Sequence, residues 1–201
     1  MNKTEALTTI ARELDRATDS PLYEYRQQQR SKSVPGQGNS DAVIMFIGEA
    51  PGHNEARQGR AFVGAAGKLL DELLSHVNIR RDDVFITNIV KDRPPENRSP
   101  KKGEIAFYAP FMDRQIDIIR PTVIVTLGRF AMEYILAKFD LLESDTKITR
   151  IHGQAIQAEA EYGPIVIVPL YHPAAALYDE SKRSVLFEDF ENLAEIVRSS
   201  G

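Results

Sequence analysis

A carboxylate, an amide and an imidazole stand in three loops of this sequence, each just after an apolar run. The first run ends in Gly48-Glu49-Ala50-Pro51-Gly52, which sets Glu49 among residues that mostly shape the backbone. Alone, such a stretch reads as a glycine-rich strand-to-helix turn. It is not a dinucleotide fingerprint, because the G-x-G-x-x-G spacing is missing and a long insertion separates Gly48 from the helical pattern near Gly67. That insertion carries Arg57, Arg60 and an exposed-looking Phe62, so it builds something other than a tight phosphate cradle.

Asn88 closes a second apolar run. A buried side-chain amide there must find partners or cost roughly 1–3 kcal/mol. It either caps a turn or, having both donor and acceptor, reads the edge of a ligand such as a base. Lys91, Arg93, Arg98, Lys101 and Lys102 follow, interrupted by prolines, as a solvated basic face or as a loop that contacts phosphates. His172 precedes Pro173, which restricts its backbone. A lone histidine is more often structural, but no serine–histidine–aspartate order or metal-ligand spacing competes for this one. Ala174, Ala175 and Ala176 allow close approach of another backbone. Leu177 and Tyr178 offer an apolar tip of the kind that fills a disrupted base stack, and Lys182 and Arg183 add charge nearby.

The elements that must position these loops are legible as periodicity. Residues 42–48, 84–90, 122–128 and 165–170 are short, continuous Val/Ile-rich runs, the pattern of parallel strands covered on both faces. Helical patterns occupy 67–77, 104–119 and 129–139, and a first helix carrying Ile10 and Leu14 should stop before Ser20-Pro21. Residues 31–40 read as a loop. Leu186, Phe190, Leu193 and Val197 share one face of a closing helix. The alternation implies an α/β fold, a three-layer α/β/α arrangement around a mostly parallel sheet of about four strands. Ligands of such sheets bind beyond the C-terminal ends of the strands, where the three unusual loops begin.

Composition bounds the chemistry. One domain over residues 1–201 is expected from the length. A net charge of −4 neither requires nor excludes a nucleic-acid partner, since local patches decide binding. The absence of cysteine removes disulfides, thiolate nucleophiles, zinc–thiolate sites and cysteine-ligated iron–sulfur clusters. The N-terminus reads as a polar amphipathic helix rather than a signal peptide, and no apolar run reaches the ~20 residues that span a bilayer, so a cytoplasmic location is expected.

Together, GEAPG…RQGRAFVGAAGKLLDELL, FITNIVKDRPPENRSP and HPAAAL resemble the uracil-DNA glycosylase superfamily, specifically its bacterial and archaeal family-four branch, over about residues 17–197. The resemblance implies a monofunctional glycosylase that hydrolyses uracil from DNA to leave an abasic site. It implies that Gly48, Glu49, Ala50, Pro51 and Gly52 shape the base pocket, Phe62 stacks on uracil, Asn88 reads its edge and His172 assists its departure. DNA contacts are expected from Arg57, Arg60, Lys91, Arg93, Arg98, Lys101, Lys102, Lys182 and Arg183, with Ala176 and Leu177 at the vacancy left by the base. Uracil-containing DNA is the expected partner, and a monomer the expected state.

Two departures stand out. The best-known branch of the superfamily has an aspartate for water activation where this chain has Ala50, a feature that family four generally shares. Glu49 then either positions water or braces the loop. Family-four enzymes also typically hold a [4Fe-4S] cluster on four cysteines, whose places fall here on Ala17, Ser20, Asp92 and Tyr108. No cofactor is therefore expected. Tyr108 should fill part of the vacated volume, and Asp92, if buried, needs a cation. A branch that bonds covalently to DNA uses a histidine in an inserted loop; KDRPPENRSPKKG has none, so ordinary turnover is expected. The alternatives are a catalytically weak or inactive binder of damaged or single-stranded DNA and, less strongly, a nucleotide-binding α/β protein.

Overall fold

The computed structural model describes residues 2–199. In chain order its helices and strands are α1 (Lys3–Arg16), α2 (Tyr23–Gln28), β1 (Gln37–Gly38), β2 (Ile44–Gly48), α3 (His53–Gln58), α4 (Ala65–His76), β3 (Phe85–Asn88), α5 (Lys102–Ile119), β4 (Val123–Leu127), α6 (Arg129–Lys138), α7 (Ile148–Ile151), β5 (Ile156–Ala160), β6 (Gly163–Leu170) and α8 (Glu180–Ser199). The sheet order is β1-β3-β2-β4-β6-β5. The four Val/Ile-rich strands form its parallel centre, with Gly48 opposite Asn88 and Val125 opposite Val168.

Antiparallel strands are added at both edges, β1 beside β3 and β5 beside β6. Neither carries a continuous apolar run. β5 alternates half-buried and exposed positions, as an edge strand with one wet face does. β1 is two residues long inside the stretch 31–40 that otherwise runs as a loop. Gly38 sits there at φ 129°, and a Cβ would fall 2.0 Å from the Val84 carbonyl oxygen, so only glycine lets this edge approach.

Alternation along β2 divides the core into two layers. Phe46 points to one face with Val125 and Val168, under Leu69, Leu70 and Leu73 of α4 and Leu186, Phe190 and Leu193 of α8. Met45 and Ile47 point to the other, under Met112 and Ile116 of α5 and Met132 and Ile135 of α6. A smaller cluster joins Ile10 and Leu14 of α1 to Leu22, Val90 and Tyr108. The first helix starts with a reciprocal cap, in which Asn2 Oδ1 accepts the Glu5 N–H at 2.8 Å and the Glu5 carboxylate accepts the Asn2 N–H at 3.0 Å. Among the described residues no helix is long and apolar enough to cross a membrane.

Candidate active site

The C-terminal ends of β2, β3 and β6 deliver the three loops to one pocket of about 530 Å³. Glu49, Ala50, Pro51 and Gly52 form part of its wall, Phe62 and Asn88 another part, and Arg98 and His172 reach it from the remaining loops. The first loop is not an irregular insertion throughout, because α3 lies within it.

Gly48 is what lets the amide and the aromatic ring converge. A Cβ on Gly48 would lie 2.4 Å from Asn88 Oδ1 and 2.8 Å from Phe62 Cζ. Asn88 is buried, and its Oδ1 has no hydrogen-bond partner among the described residues. A buried oxygen without a partner is costly unless something outside the described residues satisfies it.

Phe62 corrects an expectation: it is only 5% exposed and belongs to the core layer of α4 and α8 while still lining the pocket. Its φ of 51° is in the left-handed region, which a bulky residue enters only when its surroundings hold it there. Arg81 supplies that hold, with Nη2 donating to the Ala61 oxygen at 2.9 Å and the Phe62 oxygen at 3.1 Å. Gly67 lies so close below that a Cβ would meet the Phe62 oxygen at 2.0 Å. The Phe62 and His172 rings stack with centroids 5.6 Å apart.

His172 Nδ1 accepts the Ala174 N–H at 3.1 Å, which places the proton of the neutral ring on Nε2. Burial pushes the imidazole pKa down to about 4, against the opposing pull of the nearby Glu55 carboxylate. The ring is therefore a neutral donor at physiological pH. Glu49 is half-buried, and desolvation raises its carboxyl pKa above the usual value despite a hydrogen bond with Ser99 and the charge of Arg129.

Sequence reasoning missed Glu55, which lines the pocket and shapes it: its Oε1 accepts the N–H groups of Val63 at 2.9 Å and Gly64 at 2.7 Å, closing the loop that ends in Phe62. It missed Arg81, and also Asn97, which lines the pocket and accepts from Arg93 Nε at 2.6 Å. No local pattern marks these residues, because their partners are assembled by the fold.

The basic residues divide into three groups. Arg57, Arg60, Lys101 and Lys102 are exposed and Arg93 half-exposed, positions from which a phosphate can be reached. Arg98, Lys182 and Arg183 are paired with Glu104, Asp179 and Glu72, so their charges are already partly satisfied. Lys91 does not belong to the surface at all: it is fully buried, because the chain after Asn88 continues inward beneath α5. The tip of the last loop is also reassigned. Ala176 is 2% exposed and Leu177 packs on the core, since the turn Pro173–Ala176 tucks against α4 and α8, and Tyr178 is left 97% exposed.

The four places at which family-four cysteines would stand do not fit an iron–sulfur cluster. Ala17 has no donor, and the other three make protein contacts of their own. Tyr108 donates to Asp92 Oδ2 at 2.6 Å and lies 2.6 Å from Ser20 Oγ. Arg26 reaches both Asp92 oxygens at 3.2 Å and also donates to Ser33 and to the carbonyls of Leu14 and Asp15. Asp92 thus has the cation that its burial demands.

Comparison with known proteins gives the family. The model of the Uracil DNA glycosylase superfamily matches residues 35–196. A type-4 uracil-DNA glycosylase of Sulfurisphaera tokodaii is 45% identical over 193 residues, 96% of this chain and 85% of its own length. Those of Archaeoglobus fulgidus and Thermotoga maritima are 42% and 37% identical, over 96% and 98% of this chain and 94% and 97% of theirs. With a family match that runs from just before β1 into α8, the chain belongs to the uracil DNA glycosylase superfamily.

Proposed function

We propose that this protein removes uracil from DNA by hydrolysing its N-glycosidic bond and leaving an abasic site. The observation that carries the reading is the buried, unpartnered Asn88 oxygen in a pocket walled by Phe62 and His172. A flipped uracil stacks on Phe62 and offers Asn88 a donor for its unpartnered oxygen and an acceptor for its amide nitrogen, and cytosine presents the reverse pair to that orientation of the amide. As the bond between the base nitrogen and C1′ breaks, its electron pair leaves with uracil, and the Nε2–H of His172 stabilises the charge growing on the base oxygen. Glu49, as carboxylate, faces the positive sugar and orients the water that adds to C1′, and the proton this water releases ends on the departed uracil anion. Exposed Arg57, Arg60, Lys101 and Lys102 hold phosphates, and Tyr178 at the loop tip enters the stack beside the vacancy.

The enzyme acts in the cytoplasm as a monomer, through one domain and without a metal or cluster. Incubating it with a uracil-containing oligonucleotide in chelator, followed by alkali, tests the reading. Strand scission at the uracil is expected. Binding of the oligonucleotide without scission would make the chain a recognition module, and neither binding nor scission would end the proposal.

A further inference from the structure

The buried Lys91 has no place in the chemistry above, yet its ammonium is surrounded by three oxygen acceptors. Its Nζ lies 2.8 Å from Thr87 Oγ1, 2.7 Å from the Asn88 carbonyl oxygen and 2.6 Å from Gln115 Oε1. All three oxygens are fixed as acceptors. Thr87 Oγ1 donates its own hydrogen to the Pro35 oxygen at 3.0 Å, and Gln115 Nε2 donates to that same oxygen at 2.6 Å. An ammonium has three donors and no acceptor, so it fits this cage, whereas a neutral amine would turn a lone pair on one of the oxygens. None of the three partners is a carboxylate.

The placement matters because of what Asn88 lacks. With its side-chain oxygen unpartnered, the amide is held at the pocket from its backbone end. The peptides that follow are already committed, Ile89 N–H to the Gly48 oxygen at 2.9 Å and Val90 N–H to the Glu49 oxygen at 3.1 Å. The Asn88 carbonyl is instead taken by Lys91. We propose that Lys91 is a positioning residue for base recognition: it locks the backbone at Asn88, and through Gln115 ties that lock to α5 and to the loop at Pro35. Burial alone pulls the Lys91 pKa well below the ordinary lysine range, so the three acceptors oppose a real penalty. The inference rests on the base-reading role given to Asn88.

The test is a double-mutant cycle of Lys91→Met and Asn88→Ala, read as single-turnover cleavage of uracil-DNA at a temperature where melting curves show every variant folded. Competition by free uracil is measured beside it. Each single variant should slow cleavage by about 10-fold or more, and the double variant should be no slower than Asn88→Ala alone within about threefold. Both singles should lose inhibition by free uracil, which a general loss of stability would not cause. Rates that multiply, or Lys91→Met with wild-type cleavage and uracil inhibition, would overturn the role of Lys91 while leaving that of Asn88 intact. Wild-type cleavage by Asn88→Ala overturns both. If Lys91→Met does not fold, Gln115→Ala, which removes the shortest acceptor and the tie to Pro35, enters the same cycle with the same deciding outcomes.

Discussion

At the scale of single residues, the pocket sorts its titratable groups by environment. His172 is kept neutral by burial, and its Nδ1 is occupied by a backbone N–H, which leaves Nε2–H for the donation proposed above. His172→Ala should slow single-turnover cleavage by about 10- to 1,000-fold, the scale for losing one transition-state donor, with a smaller effect on DNA binding. Near-normal cleavage would assign the task elsewhere. The pH dependence has a definite sign. With its pKa down at about 4, His172 should produce no inflection near the ordinary histidine value. The Glu49 carboxyl, raised by desolvation, takes up its proton at a higher pH than an exposed glutamate, so cleavage should fall as pH drops through that raised value. A rate rising toward acid would show that the carboxylate form of Glu49 is not the working one. Phe62→Ala now carries a double expectation: lost stacking on the base and, because the ring is also core, a loss of stability of about 3–5 kcal/mol in thermal or denaturant unfolding.

At the scale of elements, the segment from α1 through α2 is fastened to the loop after β3 by Arg26, Asp92, Tyr108 and Ser20. Burial and the Asp92 carboxylate push the Tyr108 phenol pKa up, which keeps it a donor. Removing one member of a buried ion pair leaves a charge uncompensated, so Arg26→Met or Asp92→Asn should lower stability by roughly 3–5 kcal/mol. Tyr108→Phe, which keeps the ring and deletes only the hydroxyl, should lose about 1–3 kcal/mol. Denaturant unfolding measures all three, and equal stability in Asp92→Asn would mean that the clasp holds nothing. The loop after β6 has its own expectation. Tyr178→Ala should weaken cleavage of uracil in duplex more than in single strands, because a wedge is needed only where a stack must be broken, and equal effects on both would exclude it from the vacancy.

At the scale of the whole molecule, a chain of net charge −4 must meet DNA through a local patch. Neutralising Lys101 and Lys102, both exposed at the start of α5, should lower affinity and reduce the salt slope by about one to two units while leaving base selectivity unchanged. An unchanged slope would remove this loop from the interface. The clasp among Ser20, Arg26, Asp92 and Tyr108 makes a second global expectation. Purified protein should contain no stoichiometric iron or sulfide and should cleave uracil-DNA equally well in excess chelator. Activity abolished by chelation would show that the chain is held together differently.

Much of this protein was already determined by its sequence. Continuous Val/Ile runs specify the four central strands, since a strand buried on both faces needs no alternation. The loops after them bring forward Glu49, Asn88 and His172 as candidates, each of which also has a structural reading when taken alone. The absence of cysteine rules out the thiolate ligands outright. The tertiary structure alone decided which of several similar residues is buried and which partner each one meets. Lys91 and Lys101 belong to one basic stretch, yet one is caged beneath α5 and the other is in water. Phe62 reads as an exposed aromatic until α4 and α8 close over it. Glu55 shapes the loop through Val63 and Gly64, and Arg26 finds Asp92 across 66 residues of chain. Periodicity encodes which face of an element is apolar, but a polar side chain's partner is set by packing between elements far apart in sequence, and that information exists only once the layers have met.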